Sequence, residues 1–243
     1  MQLNHKIHVL GKKEDLSSER LPGKIVIVLD VLFATSTIVT VLANGAKSVI
    51  PVPDETAARA EAARHPPGTF VLAGELLADT ISGFAPPAPL ALVAHGIAGK
   101  QVIYSTTNGT VALNESRGAD AVYVAALLNG AAIVRRVLER HADSTILIVC
   151  SGSMGNFNLE DGYGAGYLVE LLTRSLGARA DVSDAARAVR ALYRSGEPLA
   201  MLSDCRVGRS MLARGLADEV EHACRLSQFD LVARLIDGRV EAD

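Results

Sequence analysis

The sequence predicts an α/β fold, a three-layer α/β/α sandwich on a mostly parallel or mixed sheet. Short apolar, β-branched runs alternate with segments of helical periodicity along the chain. Hydrophobic residues make up 49% of the composition, yet aromatics only 4%, and Trp is absent. Ala, Val, Leu and Ile must therefore fill the core, which suits helices layered on a parallel sheet. At 243 residues, one large domain over 1–243 is expected, long enough to bury its apolar surface without disulfides.

The elements follow in order. Residues 25–32 (IVIVLDVL) read as a buried strand ending near Asp30. Residues 35–44 (TSTIVTVLAN) read as a helix capped by Thr35, Ser36 or Thr37 and ended by Gly45. With the next strand at 48–52 they predict a βαβ unit with a right-handed crossover. A surface helix at 54–65 stops at Pro66, Pro67 and Gly68, and a strand follows at 69–73. Glycines and prolines mark 78–99 as a loop region. Beyond it come a strand (101–105), a short helix (110–116), a strand (120–125), a helix (129–141) and a strand (144–150). A glycine-rich stretch leads into a helix over 159–176. Residues 181–236 read as helices broken at 196–198 and around Gly208 and Gly215. About six strands alternating with helices give the sandwich, and ligands in such folds bind beyond the carboxyl ends of the strands.

Net charge is −3, from 24 basic and 27 acidic residues. No basic run stands out, which argues against nucleic-acid or membrane-surface partners. Apolar stretches are interrupted before the ~20 residues a bilayer span requires. The opening MQLNHKIHVLGKKED is mixed and polar, unlike a secretion signal. Cys150, Cys205 and Cys224 lack metal-ligand spacing and suit a reducing compartment. A soluble, cytoplasmic protein is expected.

Polar residues cluster just after the predicted strands. Asp30, beside Thr35 and Ser36, can ligate a metal at a helix start, or can simply cap the helix. Glu75 follows the strand at 69–73 and reads equally as a ligand or a solvated loop residue. Thr106, Thr107, Asn108 and Gly109 follow the strand at 101–105. Such a turn gathers hydroxyls and N–H groups into an anion cradle, or serves as an ordinary turn before a capped helix. Glu160 and Asp161 fall in the first turn of the helix at 159–176, where they meet the helix dipole or aim a ligand into a cleft.

Other chemistries fail on spacing. The Cys150–Asn156 stretch ends in Asn where a cysteine-phosphatase loop needs Arg, so Cys150 reads as a buried thiol. There is no G-x-x-x-x-G-K-[ST], no strand-linked G-x-G-x-x-G and no G-x-S-x-G. The six histidines form no H-x-x-x-H pair, which argues against a zinc hydrolase. Carboxylates with hydroxyls and amides remain, and hard oxygen ligands suit Mg²⁺.

These segments resemble the 2-phosphosulfolactate phosphatase family of coenzyme M biosynthesis. The resemblance is carried by LDVLFATSTIVTVLANGAKSVIPV (29–52), AGE (73–75), YSTTNGTVAL (104–113), LNGAAI (128–133), CSGS with NLEDGYGAG (150–166) and SDCRVGRSMLARGLADEVEHAC (203–224). It implies a three-layer α/β fold, Mg²⁺ dependence, hydrolysis of a phosphate monoester of a small acid, and a homodimer. It also shows two departures. Phe33 stands where the family has Arg, and 85–89 is Ala-Pro-Pro-Ala-Pro where the family has a polar turn.

The expected chemistry is metal-assisted hydrolysis of a small phosphorylated substrate. Asp30, Glu75, Glu160 and Asp161 form the pool for Mg²⁺ ligands and base. Thr35, Ser36, Thr106, Thr107, Asn108 and Gly109 are expected to hold substrate, and Arg209 to act as cationic clamp, with Asp204 a weaker candidate. Phe33 and the proline-rich run make one side of the cleft apolar, which predicts a ligand larger or less anionic than phosphosulfolactate. The alternatives are a binding protein that kept the fold without turnover, and a lyase or isomerase acting on a related ligand.

Overall fold

The computed structural model describes residues 5–243. Residues 1–4, the start of the polar opening stretch, lie outside the described residues. The chain runs through β1 (His5–Leu10), β2 (Lys24–Leu29), α1 (Ala34–Ala43), β3 (Ser48–Val52) and α2 (Glu55–Ala62). Next come β4 (Phe70–Leu76), β5 (Asp79–Thr80), α3 (Pro89–Ala94), β6 (Gln101–Ser105), α4 (Gly109–Glu115), β7 (Ala121–Ala125), α5 (Gly130–Arg140) and β8 (Thr145–Cys150). The last part holds α6 (Leu159–Leu176), β9 (Ala180–Val182), α7 (Asp184–Tyr193), α8 (Pro198–Asp204), α9 (Arg206–Ala213), α10 (Ala217–Ala223), β10 (Ala233–Ile236) and β11 (Arg239–Ala242). No helix among the described residues is long and apolar enough to cross a membrane.

The strands form one mixed sheet in the order β5-β4-β6-β3-β11-β10-β7-β2-β8-β1-β9. Strand side chains alternate between its faces. Ile25, Ile27 and Leu29 of β2 pack with Ile133 of α5, Leu168 of α6 and Val189 of α7. Val26 and Val28 join the opposite core with Ile38 of α1, Leu92 of α3 and Leu113 of α4. Helices thus cover both faces, and the α/β sandwich is as the pattern predicts.

The expected βαβ unit is not formed. Between β2 and β3 lie β7, β10 and β11, and the β10–β11 hairpin is antiparallel to both of its neighbours. Following the pairings, β3, β6 and β4 run opposite to β7, β2, β8 and β1. Twist of about 20–25° per strand accumulates to on the order of 100° between β2 and β6. Strands of opposite formal direction can therefore aim their carboxyl ends into one hollow.

Residues 233–236, expected to be helical, pair with 239–242 as this hairpin. Its turn carries an Asp-Gly signal: Asp237 and Gly238 have φ of 47° and 82°, as a two-residue hairpin loop requires. The expected loop at 78–99 contains β5 and α3, and Gly208 lies inside α9. The glycines at 162–166 permit close packing, though not all on the sheet: a Cβ at Gly164 would meet Val31, and one at Gly166 would meet the α7 backbone at Val189.

Candidate active site

The carboxyl ends of β2, β4 and β6 meet at a pocket of about 570 Å³ lined by Asp30, Glu75, Thr106, Thr107 and Asn108. Asp30 follows β2 directly and keeps some surface open to the pocket, while protein encloses its carboxyl. Its Oδ1 accepts a long 3.4 Å bond from the Ala34 N–H. Burial, the nearby Glu75 charge and, more weakly, Glu160 raise the Asp30 carboxyl from the ordinary 3.8 to about 7.

Gly109 sets this contact. An added Cβ there would sit 2.7 Å from Asp30 Oδ2 and 2.5 Å from the Ala34 Cβ, distances that real Cβ atoms do not show. Only glycine lets the start of α4 lie against the carboxylate. Gly109→Ala is therefore expected to displace Asp30, costing ~1–3 kcal/mol of stability. Turnover should fall by roughly tenfold or more, because misplaced reacting groups lose rate steeply. Thermal melts together with kcat/KM check both numbers.

Glu75 is tied to the turn after β6. Its Oε1 accepts from the Thr107 N–H at 2.6 Å, and its Oε2 accepts from the Thr107 hydroxyl at 3.1 Å and the Ala78 N–H at 2.7 Å. Thr106 closes the same turn by accepting from the Thr110 N–H at 3.2 Å, and the Thr110 hydroxyl donates to the Thr106 carbonyl at 2.9 Å. The pocket's far wall is apolar, with Phe33, Pro86, Pro87 and Ala88. The Pro87 carbonyl is held there by the hydroxyls of Thr37 at 2.8 Å and Tyr104 at 2.6 Å.

Other predicted site residues lie behind this lining. The buried Thr35 hydroxyl donates to the Asp30 carbonyl at 2.9 Å, and that of Ser36 to the Val31 carbonyl at 2.7 Å. Both are spent on shaping the β2–α1 junction rather than on the pocket. Asp161 is 1% exposed and bridges two loops: Oδ1 accepts from the Val31 N–H at 2.9 Å, and Oδ2 from the Gly152 N–H at 3.0 Å. Burial, then the charges of Asp30 and Glu160, push its carboxyl well above the usual range, against those two donors. Glu160 is buried beside the Cys205 thiol, and burial raises its carboxyl too. Among the described residues no three His, Cys, Asp or Glu side chains gather as a metal-binding group.

Arg209 is the clearest displacement. It lies outside the pocket and pairs with Asp204 at the surface, Nη1 to Oδ1 at 3.7 Å. Asp204 is likewise not in the lining. The α9 face that meets the pocket carries Val207, Ser210, Met211 and, just beyond the helix, Arg214, the i, i+3, i+4, i+7 stripe of a helix. Arg209 falls off that stripe, so helical phase alone separates it from Arg214. Arg206 also lines the pocket, its guanidinium donating to the Ser153 hydroxyl and to Asn158 Oδ1. Arg214 is engaged by Asp79 at 2.8 Å.

The family model for 2-phosphosulpholactate phosphatase matches residues 11–238. A probable 2-phosphosulfolactate phosphatase of Clostridium perfringens (strain SM101 / Type A) is 34% identical over 240 residues, covering 97% of this chain and 96% of the relative. One from Symbiobacterium thermophilum is 32% identical over 226 residues, covering 92% and 96%. One from Gloeobacter violaceus is 37% identical over 211 residues, covering 86% of each. The chain belongs to the 2-phosphosulfolactate phosphatase family and is with it a phosphatase, a phosphoric monoester hydrolase.

Proposed function

We propose that this chain hydrolyses the phosphate monoester of a small metabolite with the help of Mg²⁺, and that the ester carries a larger or less anionic body than 2-phosphosulfolactate. The observation that carries this reading is Asp30: a carboxyl raised to about 7, at the floor of a pocket whose other wall is the Thr106–Asn108 turn. Mutual repulsion between Asp30 and Glu75 is charge that a divalent cation would relieve. Mg²⁺ typically uses one or two carboxylates and completes its shell with water and substrate phosphate, so it needs no cluster of three protein carboxylates. Asp30 and Glu75 would hold it, and when bound it neutralises the phosphoryl oxygens.

The protein's own residues do the rest. Asn108 and the hydroxyl of Thr106 hold phosphoryl oxygens. Asp30 takes the proton of the attacking water as its oxygen bonds to phosphorus. The ester P–O bond breaks, and that proton passes to the leaving oxygen. Asp161 positions rather than reacts: it holds the backbone after β2 and β8 in place. The ester's organic body faces Phe33, Pro86, Pro87 and Met211. Three free cysteines suit the reducing cytoplasm, and the homodimer implied by the resemblance belongs to the same reading.

A panel of phosphorylated metabolites with Mg²⁺ tests the substrate class by phosphate release. Esters with apolar bodies should be preferred, and a clear preference for 2-phosphosulfolactate would overturn that part. Release at background on every ester, with Mg²⁺ or Mn²⁺, would favour a binding protein without turnover. Loss of substrate without phosphate release would favour a lyase or isomerase. The arginines give a second check. Arg206→Ala should raise KM by about tenfold, the scale of one charge-assisted contact, while Arg209→Ala should leave kcat and KM within about twofold.

A further inference from the structure

Lys13 lies in the short 3₁₀ turn after β1 and is the one Lys or Arg that is buried among the described residues. Its backbone N–H donates to the Ser151 carbonyl at 3.2 Å, which fixes the residue beside the β8–α6 loop. Its ammonium donates to Glu14 Oε1 at 2.8 Å and, across the fold, to Asn108 Oδ1 at 2.9 Å. Burying an ammonium is costly unless it is paired and hydrogen-bonded, so this placement is specific.

An ammonium has donors and no acceptor, so the Asn108 atom it meets must be the amide oxygen. That assignment leaves the amide NH₂ as the free end. No acceptor is in hydrogen-bond reach of that NH₂ among the described residues, and Asn108 lines the pocket. A second observation agrees. Asn108 occupies the N-cap position of α4, where Asn ordinarily caps the helix with its side-chain oxygen. Here it makes no such cap bond. Its oxygen has been drawn to Lys13 instead.

We propose that Lys13 is a positioning residue: it grips the oxygen of Asn108 and so turns the amide NH₂ into the pocket as a fixed donor for a phosphoryl oxygen. This rests on the phosphate-holding role of the 106–109 turn proposed above. It also sets a positive charge behind Asn108, at a pocket whose lining carries the carboxylates of Asp30, Glu75 and Asp79 and the guanidiniums of Arg206 and Arg214.

Side-chain amide NMR of the full chain tests it. In the unmodified protein the Asn108 NH₂ pair should be single, well dispersed and shifted by inorganic phosphate; an unshifted pair while other residues of the turn respond would overturn the proposal. In Lys13→Met the pair should move toward solvent-averaged positions in an otherwise native spectrum, and phosphate affinity should weaken about tenfold, as for loss of one charge-assisted bond. Lys13→Arg, which keeps a donor, should restore most of it. Once Asn108→Ala is in place, Lys13→Met should add less than about twofold, because the two residues act as one unit. Additive losses, or an Asn108 pair unmoved in a folded Lys13→Met protein, would overturn the proposal. If phosphate perturbs no residue of the turn, the phosphate-holding role fails instead, and the response of the Asn108 amide to Lys13→Met still decides what Lys13 does.

Discussion

Asp30→Asn should cut phosphate release by at least ~10²–10⁴-fold, the scale of a lost proton-transfer group, while leaving the protein folded. The variant should also be the more stable protein at pH 8 without divalent cations. Burial first, and the Glu75 charge second, raise this carboxyl to about 7 from the ordinary 3.8. Between those values the native chain holds a proton that the unfolded chain has released. The stability contributed by protonated Asp30 is therefore full below about pH 4 and lost as pH rises to about 7. An asparagine side chain does not titrate, so the variant should lack this fall. Urea unfolding in EDTA at pH 5 and pH 8 reads it. A variant less stable than its parent at pH 8, or one still releasing phosphate at the parent rate, would contradict this account of Asp30.

Asp161→Ala should be among the most destabilising single changes in the chain. Both carboxyl oxygens accept backbone N–H groups, from Val31 and Gly152, in a buried setting. Alanine leaves both donors unpaired, at ~1–3 kcal/mol each, for a total of about 2–6 kcal/mol. At roughly 2–4 °C per kcal/mol for a chain of this size, the melting temperature should drop by about 4–24 °C. Asp161→Asn keeps one acceptor and turns an NH₂ toward the other donor, so it should fall between parent and alanine. Calorimetry of the three proteins checks the order. If Asp161→Ala melts with the parent but loses all turnover, Asp161 is part of the reacting machinery rather than its support.

Much of this was legible before any coordinates. The strands at 48–52 and 101–105 and the helix at 159–176 have the bounds their patterns predict, because each is an uninterrupted apolar run or period between clear stops. The bringing together of Asp30, Glu75 and the 106–108 turn was legible as one of two readings, since polar residues directly after apolar strands stand where such folds bind ligands but serve equally as caps and turns. Sheet order was not. Inserting β10 and β11 between β3 and β7 is a long-range pairing that no local pattern encodes, although Asp237-Gly238 announced the hairpin itself. Which polar groups face the pocket was equally hidden. Thr35, Ser36 and Asp161 have the right chemistry and the right neighbourhood, but their oxygens are consumed by backbone partners. Lys13 carried no signal, because a lysine pair in a polar opening stretch looks like a solvated surface.

Phosphate release is the most direct measure of the chemistry proposed for Asp30. ³¹P NMR of the full chain with phosphate monoesters, 2-phosphosulfolactate and bulkier esters included, should show inorganic phosphate appearing with Mg²⁺. That signal should be suppressed by EDTA and absent for Asp30→Asn. Release that persists undiminished in EDTA, or that Asp30→Asn performs as well as the parent chain, would contradict it.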